Sequence, residues 1–530
     1  MPLPPAVAEV TGAQAPFRHH WPETSGAMIG DRYLAMPPNL TAAFRQAALR
    51  WADRLALSDE QESVTYGALE QRMLSTAAVL WQEGVRPGDV VGVLQDSRIS
   101  YLVWLLATVA VGAVPALLNV RLTQAELEPL VRLVKPRLMV AGETHWERAC
   151  ALPVRTVLPA ERTPLGYGTL SGLPGEHADP HGDALLLFTS GTTAGPKAAR
   201  LTHANVLHSA ESYHRIFGLT NTDVTLIAVP LFHVTGLIGQ WLSILLAGGE
   251  SVLLSRFDAA RADALMRARS VSFVFCVPTL FIRMLRYWQG QEDAAPPPFL
   301  RVAASGGAPM PESVLEALSG RLSCGVFNTY GLTEVASPAT ILPAGDVAER
   351  PGSAGLPAPG VSLRVVNPET LMDAAPGEAG ELLVAGPMVM AGYYDNPVAT
   401  RNVMVSLEQE YLRTGDLARI DAAGFVFVLD RLKDLINRGG EKIYGGEVEQ
   451  ALYRHPDVIE ASVVGIPDPE WGEVVGAAVV LRHGDPGSLR PWLRERLAAY
   501  KVPTRWVCLD ELPRNANGKV DRRRVRELLS

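Results

Sequence analysis

Cysteine is scarce and scattered. Cys150, Cys276, Cys324 and Cys508 stand far apart with no Cys-x-x-Cys pair, which excludes a zinc ribbon and offers no disulfide framework. A reducing, cytoplasmic setting fits. There is no basic excess either: a net charge of -8 and a pI near 5.8 exclude a general nucleic-acid or anionic-membrane surface, because phosphate backbones demand a basic face. Any phosphate site must be local. The opening stretch "MPLPPAVAEVTGAQAPFRHH" lacks a basic segment followed by an apolar core, so no signal peptide is expected and partial disorder is. Lysine is scarce as well. Of 48 basic residues only six are lysines, at 135, 197, 433, 442, 501 and 519, so this chain defaults to arginine and each lysine invites a reason.

With 530 residues the chain is long enough for about two to four units. The run Tyr101 to Val120, "YLVWLLATVAVGAVPALLNV", is uncharged and of membrane-spanning length. Gly112 and Pro115 divide it, so a buried helix followed by a buried strand is the better reading. Trp241 to Leu254 repeats the pattern, which suggests two similar α/β sublayers. Strand-like and helix-like runs alternate from about 40 to 340, the mark of mostly parallel sheets. Short strands and turns such as "GELLVAGPMVMAGYY" and "GFVFVLD" then predict a β-rich subdomain. From near Asp430 a helix "GGEVEQALYRHP", strands "IEASVVGIP" and "VVGAAVVLR", and a helix "SLRPWLRERLAAY" predict a compact α+β tail.

The stretch "TSGTTAGPKAARLTH", Thr189 to His203, follows the apolar run 184–188. Hydroxyls and unencumbered backbone N–H groups after a strand make an anion-binding nest, with Lys197 as a mobile charge. It does not match G-x-x-x-x-G-K-[ST]: Lys197 is followed by Ala198, which offers no hydroxyl for magnesium. A P-loop kinase or ATPase is disfavoured, and a Gly/Thr-rich surface turn is the plain alternative.

At this loop the chain resembles the adenylate-forming superfamily, which contains acyl-CoA synthetases, beetle luciferases and peptide-synthetase adenylation domains. Further motifs of that family follow in its order: "SGGAPM" from Ser305, "NTYGLTE" from Asn328, "YLRTGDLARID" from Tyr411, "DRLKDLINRGGEKI" from Asp430 and "PRNANGKVDR" from Pro513. The resemblance implies a fold with an ATP- and acid-binding domain over 1–429, including a β-rich subdomain over about 345–429. A hinge at 430–433 and a mobile C-terminal domain over 434–530 complete it.

The chemistry implied is activation of a carboxylate, a poor acyl donor, as an acyl-AMP by attack on the α-phosphorus of ATP. The protein's part is positioning and charge stabilisation. By resemblance Thr189, Ser190, Gly191, Thr192, Thr193 and Lys197 hold the β- and γ-phosphates. Glu334 is the magnesium ligand, and Thr333 meets the α-phosphate. Tyr330 flanks adenine, while Gly306, Gly307 and Ala308 line the adenine pocket and acyl channel. Asp416 and Arg431 take the ribose. Lys519 bridges carboxylate and α-phosphate, and Lys433 is the hinge. Rotation about it withdraws Lys519 and presents Gly439 to Ile443 to a thiol, with Gly439 and Gly440 leaving room for a pantetheine arm. Five of the six lysines fall in such motifs, Lys135 being read as surface; a forked guanidinium does not replace a compact ammonium at a crowded phosphate. Taken singly, Glu334 fits a helix start and Asp416 a turn after Gly415. His233 fits the acyl and thiol channels and plain packing equally.

Three departures from the family pattern stand out. Ala194 and Ala198 replace usual glycines, with Gly195 at a variable place, and Gly445 in "IYGGEVE" replaces a common proline whose loss would loosen the tail's first helix. The resemblance points to an ATP-, magnesium- and coenzyme A-dependent acid-thiol ligase. A ligase loading carrier-protein pantetheine is a close alternative, and a degenerate nucleotide-binding module a distant one. A luciferase-like monooxygenase finds no supporting residue. Apolar pocket segments without Arg or Lys predict a hydrophobic monocarboxylic acid, aryl, medium-chain or polycyclic. The oligomeric state stays open, a homodimer included.

Overall fold

A computed structural model describes residues 19–24, 28–30, 32–161, 172–189, 195–290 and 295–530. The expectation of disorder at the amino terminus, and the loop residues Ser190, Gly191, Thr192, Thr193 and Ala194, lie outside the described residues.

Two sheets build the first α/β region, as the recurrence of apolar runs predicted. One has seven strands in the order Gly392–Tyr393, Lys197–Thr202, Asp183–Thr189, Val114–Leu117, Val90–Leu94, Leu138–Ala141 and Val157–Pro159. The other has nine, running from Leu356–Pro357 through Thr340–Leu342, Gly325–Tyr330, Val302–Ser305, Phe273–Cys276, Val224–Ile227, Glu250–Leu253 and Leu55–Ser58 to Ser63–Thr65. Their central strands pair parallel, and antiparallel strands close both edges of the nine-stranded sheet and one edge of the seven-stranded sheet, whose other edge strand, Val157–Pro159, is parallel. Parallel strands covered on both faces read as unbroken apolar runs, which is why Val90–Leu94 and Leu138–Ala141 are buried throughout.

The run that resembled a membrane span is the helix Ile99–Ala110 and the strand Val114–Leu117. A helix apolar on every side is one enclosed by protein. Among the described residues no helix is long and apolar enough to cross a membrane. The second such run is a wide π-helical stretch, Thr235–Leu242, continued by the helix Ser243–Ala247 and the strand Glu250–Leu253.

Five antiparallel strands, Ser362–Val366, Gly380–Ala385, Met404–Ser406, Glu410–Ile420 and Val426–Arg431, form the β-rich part. One piece expected there goes elsewhere: Gly392–Tyr393 adds to the edge of the seven-stranded sheet, with Ala199 opposite Tyr393. From Ile436 a further sheet packs its own cores. Along its long strands Ala461, Val463, Val475, Ala477 and Val479 face one cluster, and Val464, Ile466, Val474, Ala478 and Val480 the other. That period of two means both faces are covered. The helix Gly445–Tyr453 packs on one side and Arg522–Leu529 on the other. The expected helix from Ser488 to Tyr500 is shorter, Leu489–Arg494, followed by a 3-10 turn at Ala499–Lys501.

The tail sheet is docked against the rest. Arg454 pairs with Glu312 at 2.5 Å, Ser313 Oγ donates to Tyr453 O at 3.2 Å, and Arg522 pairs with Asp430 at 3.1 Å.

Candidate active site

The strands explain which residues meet. In the antiparallel pair Glu410–Ile420 and Val426–Arg431, Asp416 lies directly opposite Arg431. Arg431 Nε reaches Asp416 Oδ1 at 2.9 Å, and Tyr330 Oη donates to Asp416 Oδ2 at 2.6 Å. Burial pushes the Asp416 carboxyl above its usual range, while Arg431 and the Tyr330 hydrogen bond hold it down. Burial and the Asp416 charge raise the Tyr330 phenol well above its ordinary value, so it stays a donor. A buried carboxylate with both oxygens already engaged is a pre-aimed acceptor for a polar ligand.

Glu334 lies in the 3-10 turn that follows the strand Gly325–Tyr330. Its Oε1 accepts from Tyr393 Oη at 2.9 Å, and its carbonyl accepts from Met390 N–H at 2.8 Å. Thr333 stands beside it in the same 3-10 turn, Thr333–Val335. The turn is tight because the chain folds back on itself: a Cβ at Gly331 would fall 1.4 Å from Ser337 O, so only glycine fits.

Lys519 comes from the tail, near enough to Asp416, Glu334 and Arg431 for all three charges to act on it. Burial, then Arg431, hold its ammonium below the ordinary value, with Asp416 and Glu334 opposing. The Lys519 side chain is exposed at the surface of its loop. His233 precedes the π-helical stretch. Its Nε2 is buried with no hydrogen-bond partner among the described residues, and burial, Lys519 and Arg121 drive its pKa down to about 3, so the ring is neutral.

The phosphate-loop ends are described though its middle is not. Thr189 and Lys197 are cross-strand partners in the antiparallel pair Asp183–Thr189 and Lys197–Thr202. Lys197 Nζ lies 5.0 Å from the centre of the Tyr393 ring. Gly195 has a φ of +86°, a left-handed conformation that glycine adopts without a steric cost. The Ala198 methyl is fully buried in the core beneath the sheet.

Gly306, Gly307 and Ala308 follow the strand Val302–Ser305, Gly307 facing Thr235 and Val277. Gly306 has an internal reason to be small, since a Cβ there would lie 2.3 Å from Thr329 Oγ1. Gly439 and Gly440 turn between Ile436–Arg438 and Glu441–Ile443; their neighbours are Asn437 of the first of these strands and Trp471, which precedes the strand Gly472–Leu481. Lys433 is exposed in the turn Leu432–Asp434 that leads into the tail sheet. Of the remaining lysines, Lys501 pairs with Glu447 at 2.7 Å and Lys135 is a surface residue.

Sequence reasoning missed Tyr393, which links Lys197 to Glu334, and the pair Asn119 and Arg121. Tyr393 had no local signal, because its strand joins a sheet whose other members lie far away in sequence. Asn119 and Arg121 had one: they follow an apolar strand, and parallel sheets place ligands beyond the carboxyl ends of their strands. Arg121 also qualifies the expectation of a cleft without arginine, since its charge acts on His233.

Known proteins resemble this chain in sequence and fold. A curated feruloyl-CoA synthase from Amycolatopsis sp is 37% identical, with 88% of this chain and 94% of that protein covered. A 2-succinylbenzoate–CoA ligase from Geobacillus kaustophilus is 36% identical over 92% of this chain and 97% of its own length. Among solved structures, o-succinylbenzoate CoA synthetase from Bacillus subtilis with its acyl-adenylate intermediate superposes with a TM-score of 0.82 at 30% identity, covering 93% of this chain and 98% of that one. ATP-bound MatB from Rhodopseudomonas palustris gives 0.84 at 30%, covering 92% and 99%. The "AMP-binding enzyme" model matches residues 44–394 and the "AMP-binding enzyme C-terminal domain" model residues 447–519, and the chain therefore belongs to the AMP-binding enzyme family.

Proposed function

We propose that the protein is an ATP-dependent acid-thiol ligase that makes an acyl-AMP from a hydrophobic, aryl-bearing monocarboxylic acid and passes the acyl group to coenzyme A. The convergence of Asp416, Arg431, Tyr330, Glu334 and Lys519 from four separate segments carries the reading. Asp416 and Arg431 bind the ribose hydroxyls, and the Tyr330 ring borders the adenine with Gly306, Gly307 and Ala308. Thr189, Lys197 and the intervening loop hold the departing pyrophosphate. Lys519 and Thr333 contact the α-phosphate, where Lys519 also holds the incoming carboxylate and offsets the charge that builds up as the P–O bond to pyrophosphate breaks.

The donor set fits a magnesium–nucleotide. Among the described residues no cluster of three metal-ligating side chains exists, and Glu334 is the carboxylate available beside Lys519. Magnesium keeps most of its waters and takes one or two protein carboxylates plus phosphate oxygens, so one glutamate suffices; bound there it neutralises phosphate charge. His233, neutral at working pH, borders the acyl and thiol path. Thiolysis of the anhydride follows rotation of the tail about Lys433, which removes Lys519 and brings Gly439 and Gly440 to the pantetheine.

The aryl preference draws support from the buried, charge-free stretch Thr235–Leu242 beside Gly307 and from the feruloyl and succinylbenzoate ligases among the relatives. The test is AMP release from ATP with a panel of ferulate, benzoate, 2-succinylbenzoate, octanoate and malonate, with and without coenzyme A. Coenzyme A-dependent turnover of aryl acids is expected. No AMP or pyrophosphate exchange with any acid, in folded protein that binds ATP, would refute the ligase reading; transfer to a holo-carrier protein alone would refute the coenzyme A step.

A further inference from the structure

The loop that carries Lys519 has its own internal frame. Asn515 Oδ1 accepts from the backbone N–H groups of Asn517 at 3.0 Å and Lys519 at 3.1 Å. Asn515 N–H donates to Lys519 O and Gly518 N–H to Asn515 O, both at 2.8 Å. A loop tied in this way keeps its shape whether or not anything receives it. Its receiver is across the cleft. Asn119, only 6% exposed, follows the strand Val114–Leu117, and its Nδ2 donates to Asn517 Oδ1 at 2.7 Å and to Ala516 O at 3.2 Å. Its Oδ1 accepts from Arg121 N–H at 2.9 Å, which sets the direction of the amide and leaves the NH2 group to the loop. Arg121 approaches the same loop at Gly518.

We propose that Asn119 is a positioning residue for Lys519: by holding Ala516 and Asn517 it keeps the ammonium in the adenylation site, and it serves that half-reaction alone. The inference rests on the ligase reading above. Two hydrogen bonds from Asn119, to Ala516 and Asn517, hold the loop at this place. A neutral amide suits the task. A cation would add repulsion, and an anion would compete with phosphate for Lys519. When the tail rotates, both bonds from Asn119 break, and nothing in thiolysis depends on them.

Two measurements test this on Asn119→Ala, Asn517→Ala and the double variant. The first is acetylation of Lys519 by acetic N-hydroxysuccinimide ester, read by peptide mass spectrometry with Lys501 as internal reference. Lys519 should react about three- to tenfold faster in each single variant, as expected for loss of one or two hydrogen bonds, and the double variant should match Asn119→Ala. The second uses ferulate as the probe acid. ATP–pyrophosphate exchange should fall about tenfold in Asn119→Ala with the KM for ATP unchanged, while coenzyme A consumption of supplied feruloyl-AMP stays within about twofold. Unchanged Lys519 reactivity, or an equal fall in both half-reactions, overturns the proposal. Acetylation needs neither acid nor ATP, so it decides the placement of Lys519 even where the acid panel finds no substrate.

Discussion

Replacing Gly445 with proline sets a rule of helix chemistry against a particular contact. Gly445 is the first residue of the helix Gly445–Tyr453, a position where proline is normally welcome because its missing N–H is an orphan anyway. Here the N–H is not an orphan. It donates to Asp430 Oδ2 at 2.6 Å, and that carboxylate is buried with Arg522 and the Arg431 N–H as its other partners. Loss of a hydrogen bond to a buried charge costs roughly 1.5–3 kcal/mol. Proline returns about 0.4–1 kcal/mol by restricting the unfolded chain. The net expectation is a loss of roughly 1–2 kcal/mol and, at about 2–4 °C per kcal/mol, a Tm lower by about 2–8 °C. Gly445→Ala is the control, since it adds the same Cβ, 3.0 Å from Val463 O, but keeps the N–H. Differential scanning calorimetry of both variants separates crowding from the hydrogen bond. If Gly445→Pro is as stable as Gly445→Ala or more so, the contact with Asp430 contributes nothing and the reasoning fails. The sequence expectation that glycine loosens this helix is corrected accordingly: the freed N–H ties the helix to the strand Val426–Arg431.

Other outcomes follow from the same geometry. Lys519→Ala should lower ATP–pyrophosphate exchange by about 100-fold or more, the scale of a preorganised charge at a reacting phosphate, while thioester formation from supplied acyl-AMP is largely spared. Tyr330→Phe removes a hydrogen bond that favours the charged Asp416, so the acid limb of the exchange–pH profile should move to higher pH; an unmoved limb would show that Asp416 ionisation does not control binding. His233, depressed from 6.5 to about 3, binds its proton more readily when unfolded. The stability it preserves is whole above about pH 6.5 and is lost as pH falls towards 3, at up to about 1.4 kcal/mol per pH unit. His233→Asn should therefore flatten the acid side of a chemical-denaturation profile. Tyr393→Phe removes the hydrogen bond that fixes the orientation of Glu334 and should raise the magnesium concentration needed for half-maximal exchange, read by titration at fixed ATP.

Some of this protein is written in short stretches of chain. The α/β alternation, the buried helix–strand unit at Tyr101 to Val120 and the hydroxyl-rich loop after an apolar strand are legible because each depends on local periodicity or on residue types within a few positions. The acidic and basic groups of the candidate site were likewise visible as residues in motifs. Their meeting was not. Asp416 faces Arg431 because of an antiparallel register, and Tyr393 reaches Glu334 because two residues of the 380–393 stretch add to another sheet. Asn119 holds the lysine loop across about 400 residues of sequence, a separation of 398 to Asn517. Sequence by itself determined which chemical groups are present and how each short segment folds, since those follow from side-chain chemistry and backbone preference. Only the tertiary structure decided which groups share a cleft and whether Gly445 is a defect or a tie, because pairing, burial and charge coupling depend on distances that chain order does not specify.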